Sequence, residues 1–279
     1  MANYTIADIQ ALRERTGAGM MDVKKALDEA DGDADKALEI IRVKGLAGVS
    51  KREGRAASDG LVTSVVNSAD AGEVGVMVEV NSETDFVAKN ENFVDLAATV
   101  LQAAVTSSVT DTETLLAQDV DGKPLSETVD EFAAVVGERI VVRRVARVEG
   151  ESVTTYLHRT SPDLPPQVGV LVAAEGGDEQ TARDIAMHIA AFSPTYLSRD
   201  DVPQETVDKE REIAETTARN ENRPEQAIPR IIEGRLNAYF KEYCLLDQGF
   251  AKDPKKTVAD VASDAGLTVT DFARFRVGS

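Results

Sequence analysis

Glu73-Val74-Gly75-Val76-Met77-Val78-Glu79-Val80 decides the fold, because its four valines fall on one side of an extended chain. Just before it, Leu61-Val62-Thr63-Ser64-Val65-Val66 reads as a partner strand, with Asn67 to Gly72 as the turn between them. Downstream the period changes. Phe93, Leu96, Ala97, Val100 and Leu101 recur at helical spacing, and a second helix is expected over about 124–136. A strand carrying Ile140, Val141, Val142, Val145 and Val148 then ends near Gly150.

The order recurs. Ser152 to Leu157 matches the first strand, and Val168-Gly169-Val170 repeats Val74-Gly75-Val76 at a spacing of 94 residues. FVDLAATV (93–100) is similar to ARDIAMHI (182–189), and TVADVASDAGLTVTDFARFRV (257–277) matches TVDEFAAVVGERIVVRRVARV (128–148) at a spacing of 129. These matches predict a duplicated α/β core with antiparallel sheets. The spacings 94 and 129 differ by 35 residues, so the second copy should hold an insertion of about that size between 193 and 256. Asp200-Asp201-Val202-Pro203 is a helix-start signal. A charged helical pattern, a turn at Asn222-Arg223-Pro224, and a helix with Ile228, Ile231, Ile232, Leu236 and Phe240 complete a projecting helical hairpin over about 200–248.

Residues 4–45 read as three short helices. Thr5 caps the first, whose apolar stripe is Ile6, Ile9 and Leu12; Gly17-Ala18-Gly19 breaks it. The second carries Met20, Met21, Val23, Ala26 and Leu27 and ends at Gly32. Asp33 caps the third, with Ala34, Ala37, Leu38 and Ile41 on one face. Three helices in about 40 residues build only a marginal core, a bundle of the ubiquitin-associated type. KGLAGVSKREGRAASDG (44–60) reads as a linker. The expected organisation is a helical module over 1–45, a linker over 46–59, a first α/β subdomain over 60–149 and a second over 150–279.

Lys and Arg number 31 against 49 Asp and Glu, a net charge of −18 over 279 residues. All of it lies beyond residue 55, since residues 1–55 hold ten charges of each sign. Such a surface repels phosphate backbones and anionic lipid, so neither direct nucleic-acid binding nor a membrane role is expected. No apolar run approaches the roughly 18 residues of a bilayer span, and MANYTIADIQ is not a signal peptide. A single cysteine, Cys244, excludes an internal disulfide and a cysteine-built metal site. A cytoplasmic protein is expected.

Catalytic chemistry is missing from the sequence. His158 and His188 lie in different repeats without ligand-spaced companions, so no metal and no cofactor is expected. His188, in IAMHIAAF, reads as a helix residue near the core edge, while His158 ends a strand beside a Pro-rich turn, at the surface or in a contact. GLAGVSK (45–51) has the wrong spacing for a phosphate loop, and no GxGxxG opens a helix. Nothing assembles a nucleophile, a base and an oxyanion site. The chain reads as one that acts by contact.

Two segments exceed what packing needs. In LRERTGAGMMDVKKAL (12–27), adjacent methionines at a helix start cannot both face so small a core, so one is expected at an adaptable surface. In EVNSETDFVAKN (79–90), Ser82 or Thr84 can cap a short helix with Asp85 in its first turn, which puts Phe86 on a strand-to-helix tip. Spacing alone equally allows Phe86, Phe93 and Val100 to form one core stripe. From the residues alone, an adaptor binding a helical or ubiquitin-like partner and an α/β enzyme with an unrecognised pocket both remain open.

Together, these two segments and the order of parts resemble the bacterial elongation factor Ts family over nearly the whole chain. The resemblance implies a guanine nucleotide exchange factor that binds elongation factor Tu and speeds GDP release, with no covalent step. It implies that Arg13, Met20 and Met21 meet the partner's G domain. Thr84, Asp85, Phe86 and Val87 would enter near the partner's magnesium site, with the ring as a wedge that dislodges Mg²⁺ and loosens the phosphate-binding loop. His158 would face the partner's third domain. On this resemblance, Phe86 belongs on the tip. Two departures stand out: the chain stops at Val277-Gly278-Ser279, where some members continue into a further helix, and the Ser161–Pro166 turn is longer than usual.

Overall fold

A computed structural model describes residues 3–279. Helices α1 (Ile6–Thr16), α2 (Met20–Glu29) and α3 (Ala34–Val49) open the chain. Thr5 and Asp8 close a reciprocal capping box on α1: the Asp8 amide donates to the Thr5 hydroxyl (3.3 Å) and the Thr5 amide to the Asp8 carboxylate (2.6 Å). Gly17, at φ 71°, takes the left-handed conformation that ends the helix. Asp33 accepts from the amides of Asp35 and Lys36 at the start of α3. Leu12, Val23, Leu27, Ala37 and Ile41 are the buried centre of this bundle. Ile6, assigned by its spacing to the apolar stripe, is 75% exposed instead, because it starts the helix beyond the reach of the bundle. The third helix also runs to Val49, into the stretch read as linker, and a 3-10 turn follows over Ser50–Arg52.

The rest is mixed α and β. Strands β1 (Asp59–Ala69) and β2 (Gly72–Ser82) form a hairpin whose turn is only Asp70 and Ala71. A short helix α4 (Asp85–Ala88), then α5 (Glu91–Ser107) and α6 (Thr112–Leu116), lead to a minimal hairpin of β3 (Asp119–Val120) and β4 (Lys123–Pro124). Helix α7 (Leu125–Val136) and strand β5 (Val141–Gly150) complete the first half, giving an antiparallel sheet of order β1-β2-β5. The second half follows the same plan. Strands β6 (Ser152–His158) and β7 (Val168–Gly176) precede α8 (Glu179–Phe192), and after the hairpin of α9 (Gln204–Asn220) and α10 (Ile228–Tyr243) come β8 (Gly249–Phe250), β9 (Asp253–Thr257), α11 (Val258–Asp264) and β10 (Leu267–Arg276). The second sheet has the order β10-β7-β6, so the strand after each first hairpin strand is again central.

Alternation along the central strands sorts the layers. Val74, Val76, Val78 and Val80 of β2 pack under α5 and α7, and Val170, Val172 and Ala174 of β7 pack under α8 and α11. The opposite faces meet each other through Val62, Met77, Leu171, Ala173 and Phe275. The core is therefore four layers: helices, sheet, sheet, helices. Gly75 and Gly169 lie in the seam between the sheets. A Cβ at Gly169 would stand 2.4 Å from Val62 Cγ1, and one at Gly75 would stand 2.7 Å from Val153 Cγ1. Glu79 is buried in the same region, where Arg144 Nε donates to it (2.7 Å) and the guanidinium lies over the Phe275 ring.

Candidate functional site: an exposed corner beside the helical module

The corner follows directly on the central strand β2. Thr84 takes the extended N-cap conformation (φ −130°), and four helical residues follow. Val87 and Ala88 are buried and anchor the inner side of α4. Phe86 points outward and is 76% exposed, whereas Phe93 and Val100 are fully buried. The three do not form one stripe, because α4 and α5 are separate helices broken at Lys89-Asn90. Lys89 Nζ donates to the Asp85 carboxylate at 2.7 Å and holds that acid below the usual carboxylate range.

The Thr84 hydroxyl does not cap α4. It donates instead to Glu138 Oε1 at 2.5 Å, and the Thr84 amide donates to Glu138 Oε2 at 3.0 Å. The neighbouring Glu83 Oε1 receives the Arg139 amide at 2.7 Å and a longer bond from Arg55 Nη1 at 3.3 Å. Glu138 follows Gly137, whose φ of 79° ends α7 and turns the chain toward the corner. Burial pushes the Glu138 carboxyl above its ordinary value, against the pull of the Thr84 bonds. The sequence reading missed Glu138. One signal was available. In the matched segments spaced by 129 residues, Leu267 aligns with it, so a carboxylate stands where the other segment has an apolar residue.

A cleft runs between the corner and the helical module. Arg13, Glu14, Gly17 and Gly19 line one side, and Thr84, Phe86, Val87, Val136 and Glu138 the other. The module is held there by α3 against α7. Gly45 is buried at this crossing, Arg42 pairs with Glu131, and Asn92 Nδ2 donates to the Arg15 carbonyl at 3.1 Å. Met20 and Met21, at the start of α2, are both exposed (54% and 61%), where the sequence reading expected one at the surface. The bundle closes on Val23, Ala26 and Leu27 without them.

His158 does not line this cleft. It ends β6 with an exposed ring, its Nδ1 3.1 Å from Tyr156 Oη. His188 is buried: its Nδ1 accepts the Ala251 amide (3.1 Å), which makes Nε2–H the donor to Gln248 Oε1 (2.9 Å). Burial holds its pKa below the ordinary histidine value. Cys244 is buried too, and its thiol is pushed up to about 11. Among the described residues there is no cluster of side chains suited to a metal ion, and no helix is long and apolar enough to cross a membrane. What the cleft offers is contact: an exposed aromatic ring and an arginine line it, and two exposed thioethers follow Gly19 at the start of α2.

Comparison with known proteins identifies the family. The family described as Elongation factor TS matches residues 83–279. Elongation factor Ts of Beutenbergia cavernae is 63% identical over 281 residues, and that of Micrococcus luteus 64% over 282, with both chains covered in full in each case. The Kineococcus radiotolerans protein of the same name is 55% identical over 279 residues, again over the whole of both chains. With a family match over most of its length and full-length relatives above 60% identity, this chain belongs to the elongation factor Ts family.

Proposed function

We propose that Phe86 is the lever with which this chain loosens GDP on elongation factor Tu. The chain is the nucleotide exchange factor of that protein in translation elongation, and not an enzyme. In the proposed mechanism the Thr84–Val87 corner enters the partner near its magnesium site. The ring dislodges Mg²⁺, and the phosphates lose two positive charges that held them. Arg13, Met20 and Met21 meet the partner's G domain, and His158 meets its third domain. The observation that carries this reading is an aromatic ring left three-quarters bare on a corner whose other residues are anchored.

Magnitudes argue for several contacts acting together. A thousandfold faster release needs about 4 kcal/mol of differential stabilisation. Burying one phenylalanine supplies roughly 1.5–3 kcal/mol. The methionines and the second half of the core must provide the remainder. Coupling is reciprocal, so GDP rebinding weakens the hold of this chain on its partner by the same factor.

Two further readings concern the architecture. We infer that the two halves are copies of one α/β unit, supported by the shared strand order and by Gly75 and Gly169 at matching places. The three N-terminal helices are taken as a ubiquitin-associated-like module, and the division at 45, 59 and 149 is kept, except that α3 carries the module to Val49.

Fluorescent GDP release from elongation factor Tu is the test. Stoichiometric chain should accelerate release, and Phe86→Ala should slow it while the melting temperature changes by about 1 °C or less, since an exposed side chain contributes little to stability. Release unchanged by the intact chain defeats the reading.

A further inference from the structure

Phe86 is exposed, so its own side chain has no packing to fix where it points. Helix α4 is four residues long, far too short to hold its shape alone. Val87 and Ala88 pin its inner side. Its entry is pinned from a different part of the chain, 54 residues away, where Glu138 receives both the amide and the hydroxyl of Thr84. Glu83 and Arg139 add a parallel bond beside it, so two adjacent residues of the corner are tied to two adjacent residues of the α7–β5 turn.

The two halves of the core offer an internal control. In the second half β7 passes into α8 through Gly177 and Asp178 alone, with no corner. There the position matching Glu138 is Leu267, which is buried against the core. The fold itself is therefore satisfied by an apolar residue at this place. The carboxylate occurs only in the half that has a corner, and it sits half-buried in surroundings that disfavour its charge. A group kept against its desolvation cost, and bonded through both carboxylate oxygens to the residue two before the ring, serves the ring.

We propose that Glu138 is a positioning residue for nucleotide exchange: by holding Thr84 it sets the direction from which Phe86 enters the partner. This rests on the reading of Phe86 as the lever, and the experiment separates the two.

GDP release from elongation factor Tu is measured at saturating concentrations of the wild-type chain, Glu138→Ala, Phe86→Ala and the double variant, with melting curves for each. Glu138→Ala removes both hydrogen bonds to Thr84 and should lower the maximal rate about tenfold or more, since even one charge-assisted hydrogen bond is worth roughly that factor. Glu138→Gln, which keeps an acceptor for the Thr84 amide, should fall between it and wild type, and it serves in place of Glu138→Ala should that variant not fold. In the Phe86→Ala background either change should cost less than twofold, because there is no ring left to aim. Equal losses in both backgrounds would overturn the proposal and make Glu138 a separate contact. No loss from Phe86→Ala itself would overturn the lever reading instead.

Discussion

Gly45 of α3 lies so close to the carbonyl of Ala134 in α7 that an added Cβ would stand 1.9 Å from that oxygen. In an exposed helix, alanine is favoured over glycine by about 1 kcal/mol. Here backbone meets backbone, and no side chain can rotate away. Gly45→Ala should therefore separate the helical module from the core while each keeps its secondary structure. Limited proteolysis should cut faster near Glu53–Arg55, and GDP release from elongation factor Tu should slow several-fold. An unchanged cleavage rate would show that the crossing tolerates the methyl group.

The seam between the sheets makes a similar demand. Gly169→Ala forces a Cβ against Val62 Cγ1 and Met77 Sδ, both inside a closed layer. Overpacking of this kind costs about 1–3 kcal/mol, and denaturant unfolding should register it. Adding Val62→Ala, which removes the offending methyl, should recover part of the loss. Gly75→Ala should behave alike against Val153.

Much of this was legible. Thr5 and Asp33 announced their helices because caps are local chemistry. Phe93, Leu96, Ala97 and Val100 announced α5 because burial on one face imposes a period. Gly45 was misread for the opposite reason. Two glycines in KGLAGVS signal a break on propensity, but packing on α7 overrides propensity and needs one of them. The β1–β2 strands run past Val66 through polar residues, since a two-residue turn keeps the ladder going with no apolar signal. Glu138 was missed because its meaning depends on Thr84, distant in sequence. Both methionines proved exposed because the bundle closes without either.

His188 gives a pH prediction. Its folded pKa is depressed by burial, so the neutral ring contributes stability that is present above the unfolded value of about 6.5 and is lost as pH falls toward the lower folded value. Protonation would put a second proton on Nδ1, which now accepts the Ala251 amide. Urea midpoints should drop between pH 7 and pH 5. In His188→Gln the baseline stability should be lower but the decline across that window shallower. An identical slope would assign the acid sensitivity to other groups.

Met20 and Met21 are exposed and add nothing to the bundle core. Replacing both by alanine should leave stability within about 0.5 kcal/mol. If a partner covers them, each lost side chain weakens binding by about 1–2 kcal/mol, so the concentration for half-maximal exchange should rise at least tenfold. Unaltered half-saturation would remove these residues from the interface.

The bare ring of Phe86 carries a liability in the free molecule. An uncovered aromatic attracts other apolar surfaces, including those of sibling chains. The surplus of 18 negative charges sets a long-range repulsion between siblings before any ring can touch. That repulsion is weakened by salt within a screening distance of about 8 Å at physiological ionic strength, so self-association should grow as salt is raised. Acidity that looked like a mere bar to polyanions thus also guards an uncovered ring against its own siblings.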